Sequence, residues 1–342
     1  RASSSGKSLL QQNVACGPPA ARSSVGRGSD RASPDPRRSR GTAPHLSNRR
    51  PAMQSTINAV AFPVPPRSWS AAVLRRRSDL ILLQTASGET TAAVHIVNRR
   101  RADSRPLTIL YSHANAEDLG LSLPFADVLS RFCGCDVLAY EYLGYSISSG
   151  EPSEAGCLEC VDAALAYLLD DCGLEPHRVV VYGRSIGSGP TVDVASRTSG
   201  LGGMILQSPI ASAGHVVLPE QMAKALAGFD LFKNYEKIKD VTCRTLMIHG
   251  RADTMVPFEH AQMLFPELRN QHPPLWIDGA GHHDMPDDLC LNAVANFVAY
   301  IEERNAKLYG RASSPDDDPA DGDGRGHWLF GGVAALFGGG GS

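Results

Sequence analysis

The sequence predicts an α/β fold with a mostly parallel central sheet, helices on both faces and an antiparallel hairpin at its start. Short runs of β-branched and aliphatic residues recur along the chain, at 80–84, 90–97, 107–112, 136–142, 178–182, 203–207, 245–249 and 275–278. The six runs from 107 onward are of the kind typical of strands buried in a parallel sheet. Helical patterns lie between the later runs, and this alternation is typical of parallel strands with crossover helices.

The first two runs and the longest helical pattern have clear boundaries. The turn signal Ala86-Ser87-Gly88 separates the first two runs, so they are predicted to form the hairpin. The clearest helical pattern covers 152–173, with Ser153 as its N-cap and Gly173 as its C-cap. Its apolar residues recur at helical spacing, which predicts a helix packed on the sheet.

Composition divides the chain into four parts. The 342 residues are 42% hydrophobic and 20% charged, which suits a globular protein and excludes a collagen, a coiled coil and a wholly disordered chain. We predict a disordered basic leader over 1–52, a connecting segment over 53–78, the α/β domain over 79–310 and a disordered Gly/Asp-rich tail over 311–342. Residues 53–310 carry 21 basic and 29 acidic groups, so no nucleic-acid partner is expected.

The start of the chain bears on its location. The first methionine is Met53, and we favour a gene model extended upstream of a start at that residue over a genuine basic leader. The opening residues lack the apolar segment of a secretory signal, and no apolar run is long enough for a transmembrane helix. We therefore expect a cytoplasmic protein, peripheral at membranes.

The cysteines predict neither a disulfide framework nor a metal site. Cys157 and Cys160 have CxxC spacing but fall within a helical pattern, and Cys133 and Cys135 have CxC spacing. No second pair has the spacing of a zinc site, so we expect reduced thiols and no metal. The chemistry described next calls for no cofactor.

Candidate catalytic residues follow the predicted strands, where ligands bind in parallel sheets. Gly183-x-Ser185-x-Gly187 follows one strand and precedes a helix expected to open near Pro190 and Thr191. This strand–turn–helix setting is typical of a nucleophile elbow, in which a sharp turn exposes the serine hydroxyl. Ser185 is therefore the candidate nucleophile.

A serine nucleophile needs an imidazole base and a carboxylate that orients the imidazole. His282 follows the last strand within a Gly-Ala-Gly turn, and we favour it as the base over its neighbour His283. Asp253 follows the preceding strand and is the candidate carboxylate, whereas Asp278 and Asp284 fit turn-forming or capping groups. The sequence thus predicts a triad of Ser185, Asp253 and His282.

The oxyanion formed during acyl transfer needs two backbone N–H donors. The residue after the nucleophile and the loop after an early strand supply them in this arrangement, which nominates Ile186 and Asn115. We expect His113 and His249 to be structural groups at strand ends.

Several motifs together resemble one family. The runs YSHANAEDLG (111–120), YLGY (142–145), SSGEPSE (148–154), YGRSIG (182–187) and GAGH (279–282) occur in the order seen in the alpha/beta hydrolase domain-containing protein seventeen group, whose members are palmitoyl-protein hydrolases. The resemblance spans 56–303, including 62–66 and 230–238. It implies an α/β-hydrolase fold with a short cap insertion and hydrolysis of S-palmitoyl thioesters on proteins by Ser185, Asp253 and His282.

The chain departs from the family pattern at three places. Ala114 replaces a glycine beside the predicted oxyanion loop, and Glu141 replaces an aspartate before Tyr142. The family's N-terminal cluster of palmitoylated cysteines is missing, since Cys16 alone precedes Cys133. If the chain starts at Met53, we expect membrane access to use a route other than N-terminal lipidation.

Two hypotheses concern contact with lipid. Arg75, Arg76 and Arg77 precede the hairpin and Arg99, Arg100 and Arg101 follow it, so pairing of its strands gathers six guanidinium groups that could dock on an anionic membrane. The alternative is a charged edge that blocks strand addition. Within 212–240, Leu226 and Phe229 are proposed to line an acyl groove, against the alternative of an ordinary packed helix.

The favoured function is a serine hydrolase that removes S-palmitoyl groups from acylated proteins. A carboxylesterase, lipase or serine peptidase with the same triad is the first alternative, because one acyl-enzyme mechanism serves these bonds. A non-catalytic scaffold on the same fold is the second.

Overall fold

The computed structural model describes residues 58, 61–65, 70–98, 107–217 and 230–309. The leader predicted for 1–52 and the tail predicted for 311–342 lie outside these residues. Arg99 to Arg101 and the segment with Leu226 and Phe229 also lie outside them.

An eight-stranded sheet forms the centre of the described chain. The strands are β1 (Leu80–Gln84), β2 (Thr90–Ile96), β3 (Thr108–Ser112), β4 (Asp136–Tyr140), β5 (Val179–Arg184), β6 (Gly203–Gln207), β7 (Arg244–Gly250) and β8 (Leu275–Ile277). Their order across the sheet is β1-β2-β4-β3-β5-β6-β7-β8. The hairpin β1–β2 is antiparallel, β2 is also antiparallel to β4, and every later pairing is parallel. The predicted mixed sheet is confirmed.

Helices cover both faces of this sheet. They are α1 (Ser70–Leu74), α2 (Leu119–Cys133), α3 (Glu154–Ala166), α4 (Ser188–Arg197), α5 (Ala213–Val217), α6 (Asn234–Lys237), α7 (Glu259–Leu264) and α8 (Asp287–Tyr309). Short 3₁₀ turns lie at Pro176–Arg178, Ser185–Gly187, Ile238–Asp240 and Phe265–Glu267. One apolar core contains residues of α3, α4 and α7, and the core on the other face contains residues of α1, α2 and α8. None of the described helices combines the length and the apolar run needed to cross a bilayer.

The helix predicted over 152–173 has the expected caps and an irregular last turn. Ser153 accepts a hydrogen bond from the backbone N–H of Gly156 at 3.0 Å, as an N-cap does. The α-helix ends at Ala166 and continues as a π-turn over Tyr167–Asp171. Gly173 then takes the left-handed conformation, with φ of +63°, that ends the helix.

Parallel pairing gives the sheet two distinct edges. The strands β3, β5, β6, β7 and β8 all end at its carboxyl edge, and the loops that follow them carry the predicted catalytic residues. The start of β1 and the end of β2 lie at the opposite, amino edge, because Ile96 pairs with Val137 near the start of β4.

Candidate active site

Ser185 lies at a sharp bend between β5 and α4. Its φ of +54° places it in the left-handed region, where a residue with a Cβ is strained. A single 3₁₀ turn over Ser185–Gly187 leads directly into α4, so the helix begins at Ser188, slightly earlier than the sequence indicated. This geometry is that of a nucleophile elbow, with the serine at the carboxyl edge of the sheet.

The glycines on either side of Ser185 permit this bend. A Cβ added to Gly183 would lie 2.5 Å from the carbonyl oxygen of Gly187 and 2.5 Å from Oγ1 of Thr191. A Cβ added to Gly187 would lie 2.3 Å from the carbonyl oxygen of Ser112. All three separations are far below van der Waals contact, so the elbow is packed tightly against the end of β3.

We expect Gly187→Ala to disrupt the elbow. The new methyl group meets backbone of β3, which cannot move aside as a flexible side chain would, and overpacking of this kind costs about 1–3 kcal/mol. Hydrolysis should fall by at least about tenfold, since a shift of the elbow moves the nucleophile relative to its base. Ester hydrolysis and thermal unfolding measure the two effects. Gly88→Ala is unsuitable as the control because its φ is +84°, whereas Ala155→Gly changes an exposed residue in the first turn of α3. Wild-type activity and stability in Gly187→Ala would contradict this account of the elbow.

The three predicted triad residues lie in hydrogen-bond contact with one another. Nε2 of His282 is 3.2 Å from Oγ of Ser185, and Nδ1 of His282 is 2.7 Å from Oδ2 of Asp253. All three residues are buried. Because the carboxylate accepts, Nδ1 carries the proton, which leaves Nε2 free to accept the hydroxyl proton of Ser185. The arrangement can therefore act as a nucleophile, general base and orienting carboxylate.

Asp253 is held by its own turn as well as by His282. Its Oδ1 accepts hydrogen bonds from the backbone N–H groups of Met255 at 2.9 Å and Val256 at 2.8 Å. Burial would raise the pKa of Asp253, but its contacts with His249, His282 and the N–H of Val256 outweigh burial and lower that pKa far below its usual range. The carboxylate therefore stays ionised, as the orienting role requires.

His249 contacts the same carboxylate, which the sequence analysis missed. Its Nε2 donates to the carbonyl oxygen of Val256 at 2.8 Å and lies 3.5 Å from Oδ2 of Asp253. Its buried Nδ1 has no hydrogen-bond partner among the described residues. The prediction of a structural histidine was therefore incomplete, because His249 also braces the turn that holds Asp253. The spacing His-Gly-x-x-Asp was the available signal.

The rival residues lie outside the hydrogen-bonded chain. His283 is exposed, and its ring centroid is 5.0 Å from that of His282. Asp284 accepts a hydrogen bond from the backbone N–H of Gly281, as expected for a turn-forming group. Asp278 is exposed and pairs with Arg251 at 3.0 Å.

The loop after β3 carries Asn115, one of the two predicted oxyanion donors. The side-chain amide of Asn115 donates to the carbonyl oxygen of Ala61 at 3.1 Å, and its Oδ1 accepts from the N–H of Ala116. The side chain of Asn115 is therefore engaged within the protein. Ile186 follows the nucleophile within the elbow. The oxyanion role of these two N–H groups stays a prediction.

A buried ion pair supports this loop. Nε2 of His113 is 2.9 Å from Oε1 of Glu141, and both side chains are fully buried. Oε2 of Glu141 accepts from the N–H of Leu119 at 2.7 Å, and the hydroxyl of Tyr142 donates to the carbonyl oxygen of His113 at 2.7 Å. The carboxylate thereby joins the loop after β3, the start of α2 and the loop after β4. His113 is structural, as predicted.

We expect Glu141→Gln to destabilise the fold. Burial would lower the pKa of His113, but its hydrogen bond and charge interaction with Glu141 outweigh burial and raise that pKa, which favours the charged imidazole. Removing one partner of a buried pair costs about 3–5 kcal/mol. Chemical denaturation measures the change, and exposed Glu151→Gln is the matched control, expected within about 0.5 kcal/mol of wild type.

The stability contributed by His113 should also depend on pH. Because its folded pKa is raised, the contribution is complete below the unfolded pKa of about 6.5 and is lost as the pH rises through the folded value. Equal stability of wild type and Glu141→Gln at acidic and neutral pH would contradict this interpretation.

The structure describes three of the six arginines that were proposed to contact a membrane. Arg75 and Arg76 are exposed, whereas Arg77 forms two hydrogen bonds to the carboxylate of Asp79 at 2.9 and 2.7 Å. All three lie at the amino edge of the sheet, opposite Ser185. Contact with an anionic membrane through them stays a prediction.

The fold and the hydrogen-bonded chain at its carboxyl edge define an α/β hydrolase. Esterase Pf2001 of Pyrococcus furiosus has the same fold, with a TM-score of 0.54 and 20% identity over 69% of this chain and 98% of that one. Est1E of Butyrivibrio proteoclasticus aligns with a TM-score of 0.53 and 15% identity, over 66% of this chain and 100% of its own. No protein-family model matches the chain.

Curated relatives identify the family. Alpha/beta hydrolase domain-containing protein 17B of Xenopus laevis is 37% identical over 207 residues, which cover 60% of this chain and 70% of the relative. The human 17B protein is 35% identical over the same coverage, and the 17C protein of Mus musculus is 39% identical over 54% of this chain and 57% of its own. The chain belongs to the alpha/beta hydrolase domain-containing protein 17 family.

Proposed function

We propose that this hydrolase removes S-palmitoyl groups from proteins through an acyl-enzyme on Ser185. The observation that carries the proposal is the continuous hydrogen-bonded chain from Oγ of Ser185 through His282 to Asp253, at 3.2 and 2.7 Å. A hydroxyl in this setting can lose its proton to the imidazole as it attacks a carbonyl carbon. The motifs shared with palmitoyl-protein hydrolases favour a thioester as the bond attacked.

The reaction proceeds in two halves. Oγ of Ser185 attacks the thioester carbonyl while Nε2 of His282 takes the hydroxyl proton, and the oxyanion collapses to expel the cysteine sulfur. The imidazolium returns its proton to that sulfur, which leaves a palmitoyl ester on Ser185. Water then attacks this ester with His282 again as base, and palmitic acid departs as the serine hydroxyl is restored.

Apolar residues pack around the elbow. Ile186 follows the nucleophile, and the ring of Phe232 packs against Gly189 in the first turn of α4, where a Cβ would lie 2.3 Å from that ring. Phe62 meets Phe232 edge to face, with ring centroids 5.9 Å apart. These buried side chains belong to the apolar core beneath the elbow, on the face of the sheet that carries α3 and α4. The groove proposed for Leu226 and Phe229 stays a hypothesis.

The test compares two peptides that differ in one atom. One carries palmitate on a cysteine and the other carries it on a serine at the same position, and palmitate release is measured with wild type and Ser185→Ala. We expect Ser185-dependent release from the thioester in preference to the oxygen ester. Release from the oxygen ester alone would replace the proposal with a carboxylesterase or lipase. No Ser185-dependent release from either peptide, with no labelling of Ser185 by a fluorophosphonate, would favour the scaffold.

A further inference from the structure

Helix α2 is apolar on its outward face. Its inward residues, including Leu119, Leu123, Ala126 and Leu129, pack in the core beside α8. The exposed residues of the helix are Leu121, Pro124, Val128, Arg131 and Phe132. Arg131 is the one polar member of this set. A surface helix normally turns charged and polar residues to solvent, so an apolar outward face indicates a partner.

Neighbouring elements extend this apolar surface. Helix α1 packs on α2 and exposes Val73, and Val97 is exposed at the end of β2. The next residue, Asn98, places its side-chain amide 2.7 Å from the carbonyl oxygen of Ser130 in the last turn of α2. We name the surface of Val73, Val97, Leu121, Pro124, Val128 and Phe132 the α2 face. Phe132 and Val97 are 48% and 56% exposed, which is high for large apolar side chains.

Unpaired arginines lie at one end of the α2 face. Arg131 is in the last turn of α2, and Arg75 and Arg76 follow α1 directly. Helix α1 packs on α2, so its end lies beside α2. Arg75, Arg76 and Arg131 are exposed and form no ion pair with a described residue.

We propose that the α2 face docks on an anionic lipid bilayer, with the axis of α2 along the membrane plane. An apolar helical face with guanidinium groups at one end suits the boundary between acyl chains and anionic headgroups. A 15-residue helix is about 22 Å long, so the contact runs along the side of the sheet from the amino edge to the carboxyl edge. This surface differs from the arginine cluster considered from sequence, because the apolar helix supplies much of the contact.

The docking orientation brings the active site to the membrane. Helix α2 begins directly after the loop that carries Asn115, and its first exposed residue is Leu121. With α2 lying on the bilayer, the carboxyl edge is beside the lipid surface, where an acyl chain attached to a protein would emerge. This consequence rests on the proposed function, whereas docking itself does not.

Vesicle co-sedimentation of the full chain tests the proposal. Wild type should bind vesicles of phosphatidylcholine with phosphatidylserine at least about tenfold more tightly than phosphatidylcholine alone. The double variant Val128→Ser/Phe132→Ser should bind the anionic vesicles about tenfold more weakly than wild type. Arg75→Gln/Arg76→Gln should lower binding to anionic vesicles and leave binding to neutral vesicles unchanged.

The matched control is Val64→Ser/Met263→Ser. Val64 and Met263 are 40% and 39% exposed, and these fractions are similar to the 38% and 48% of Val128 and Phe132. Their chain neighbours Phe62, Ala261 and Leu264 belong to the core on the other face of the sheet. The control should bind vesicles as wild type does. The basic leader is present in every variant, so any attraction that it adds is common to all of them.

Three results would overturn the proposal. Equal vesicle binding by Val128→Ser/Phe132→Ser and wild type, with both folded by thermal melting, would remove the α2 face from the contact. Equal binding to neutral and anionic vesicles would show that attraction between the arginines and anionic headgroups does not contribute to docking. A dimer in sedimentation equilibrium that Phe132→Ser dissociates would assign the face to a second copy of the chain. Ser185→Ala should bind vesicles normally, which separates failure of docking from failure of the proposed function.

Discussion

Ser185→Ala is expected to lower the rate of thioester hydrolysis by about 10⁴- to 10⁶-fold. The alanine cannot form the acyl-enzyme, so the two-step route through His282 is closed. Backbone N–H groups and substrate binding still operate, and they set the residual rate above that in water. Initial rates with a water-soluble short-chain thioester measure this effect without interference from vesicle binding.

A second serine provides the matched control. Ser196 is on α4, beyond the elbow, and its hydroxyl donates to the backbone carbonyl of Asp193 at 2.7 Å. Ser196→Ala should retain wild-type activity within about twofold, because surface substitutions away from the site change little. Ser185→Ala should melt close to wild type. Retention of most of the activity by folded Ser185→Ala would exclude this residue as the nucleophile.

Asp253→Asn is expected to lower the same rate by about 10⁴-fold. The carboxylate accepts from Nδ1 of His282 at 2.7 Å, which keeps the proton on that nitrogen and leaves Nε2 basic. An amide can donate to Nδ1 instead, and this favours the tautomer that has no acceptor facing Ser185. Asp278→Asn is the control, since Asp278 is exposed and its partner is Arg251.

The size of this loss should be independent of pH over the assay range. Contacts with His249 and His282 outweigh the effect of burial and keep the pKa of Asp253 far below its usual range. Its contribution to stability is present above the unfolded pKa of about 3.9 and is lost only as the pH falls through the lower folded value. The rate ratio of wild type to Asp253→Asn should therefore stay constant from about pH 5 to 8. A ratio that approaches one as the pH falls within that range would show that Asp253 titrates there.

The strands and the individual candidate residues of the triad were predictable because each follows from a local pattern. Strands buried on both faces need continuous apolar runs, and such runs matched the six strands after the hairpin within a few residues, whereas a turn signal marked the two hairpin strands. Loops at the carboxyl edge meet in space whatever their separation along the chain, which allowed Ser185, Asp253 and His282 to be proposed together. Their mutual contact follows from topology more than from any one motif.

The supporting contacts were not predictable in the same way. Glu141 reaches His113, Leu119 and the N–H of Tyr142 with one carboxylate, and this depends on how closely the loops after β3 and β4 approach each other. The brace of His249 on Asp253 likewise depends on the exact turn after β7. No periodicity or spacing records such distances.

The α2 face shows a different limit of sequence patterns. Helix α2 carries few charged residues, and a mostly apolar helix is ordinarily buried, so its sequence gives little reason to expect exposed apolar residues. The position of α2 at the outside of its layer leaves Val128 and Phe132 uncovered by the described residues. The arginine runs can be read from the sequence. The exposed apolar residues beside them could be identified only from the packing of α2.

Mass spectrometry of the acyl-enzyme tests the central claim most directly. Wild-type protein is mixed with a palmitoylated peptide thioester, quenched in acid within the first turnovers, digested and examined for acylated peptides. We predict one palmitoyl group, carried by Ser185, that disappears as turnover ends and is absent from Ser185→Ala. Steady hydrolysis of the thioester with palmitate on another residue, or with no acylated protein at any time, would contradict the account.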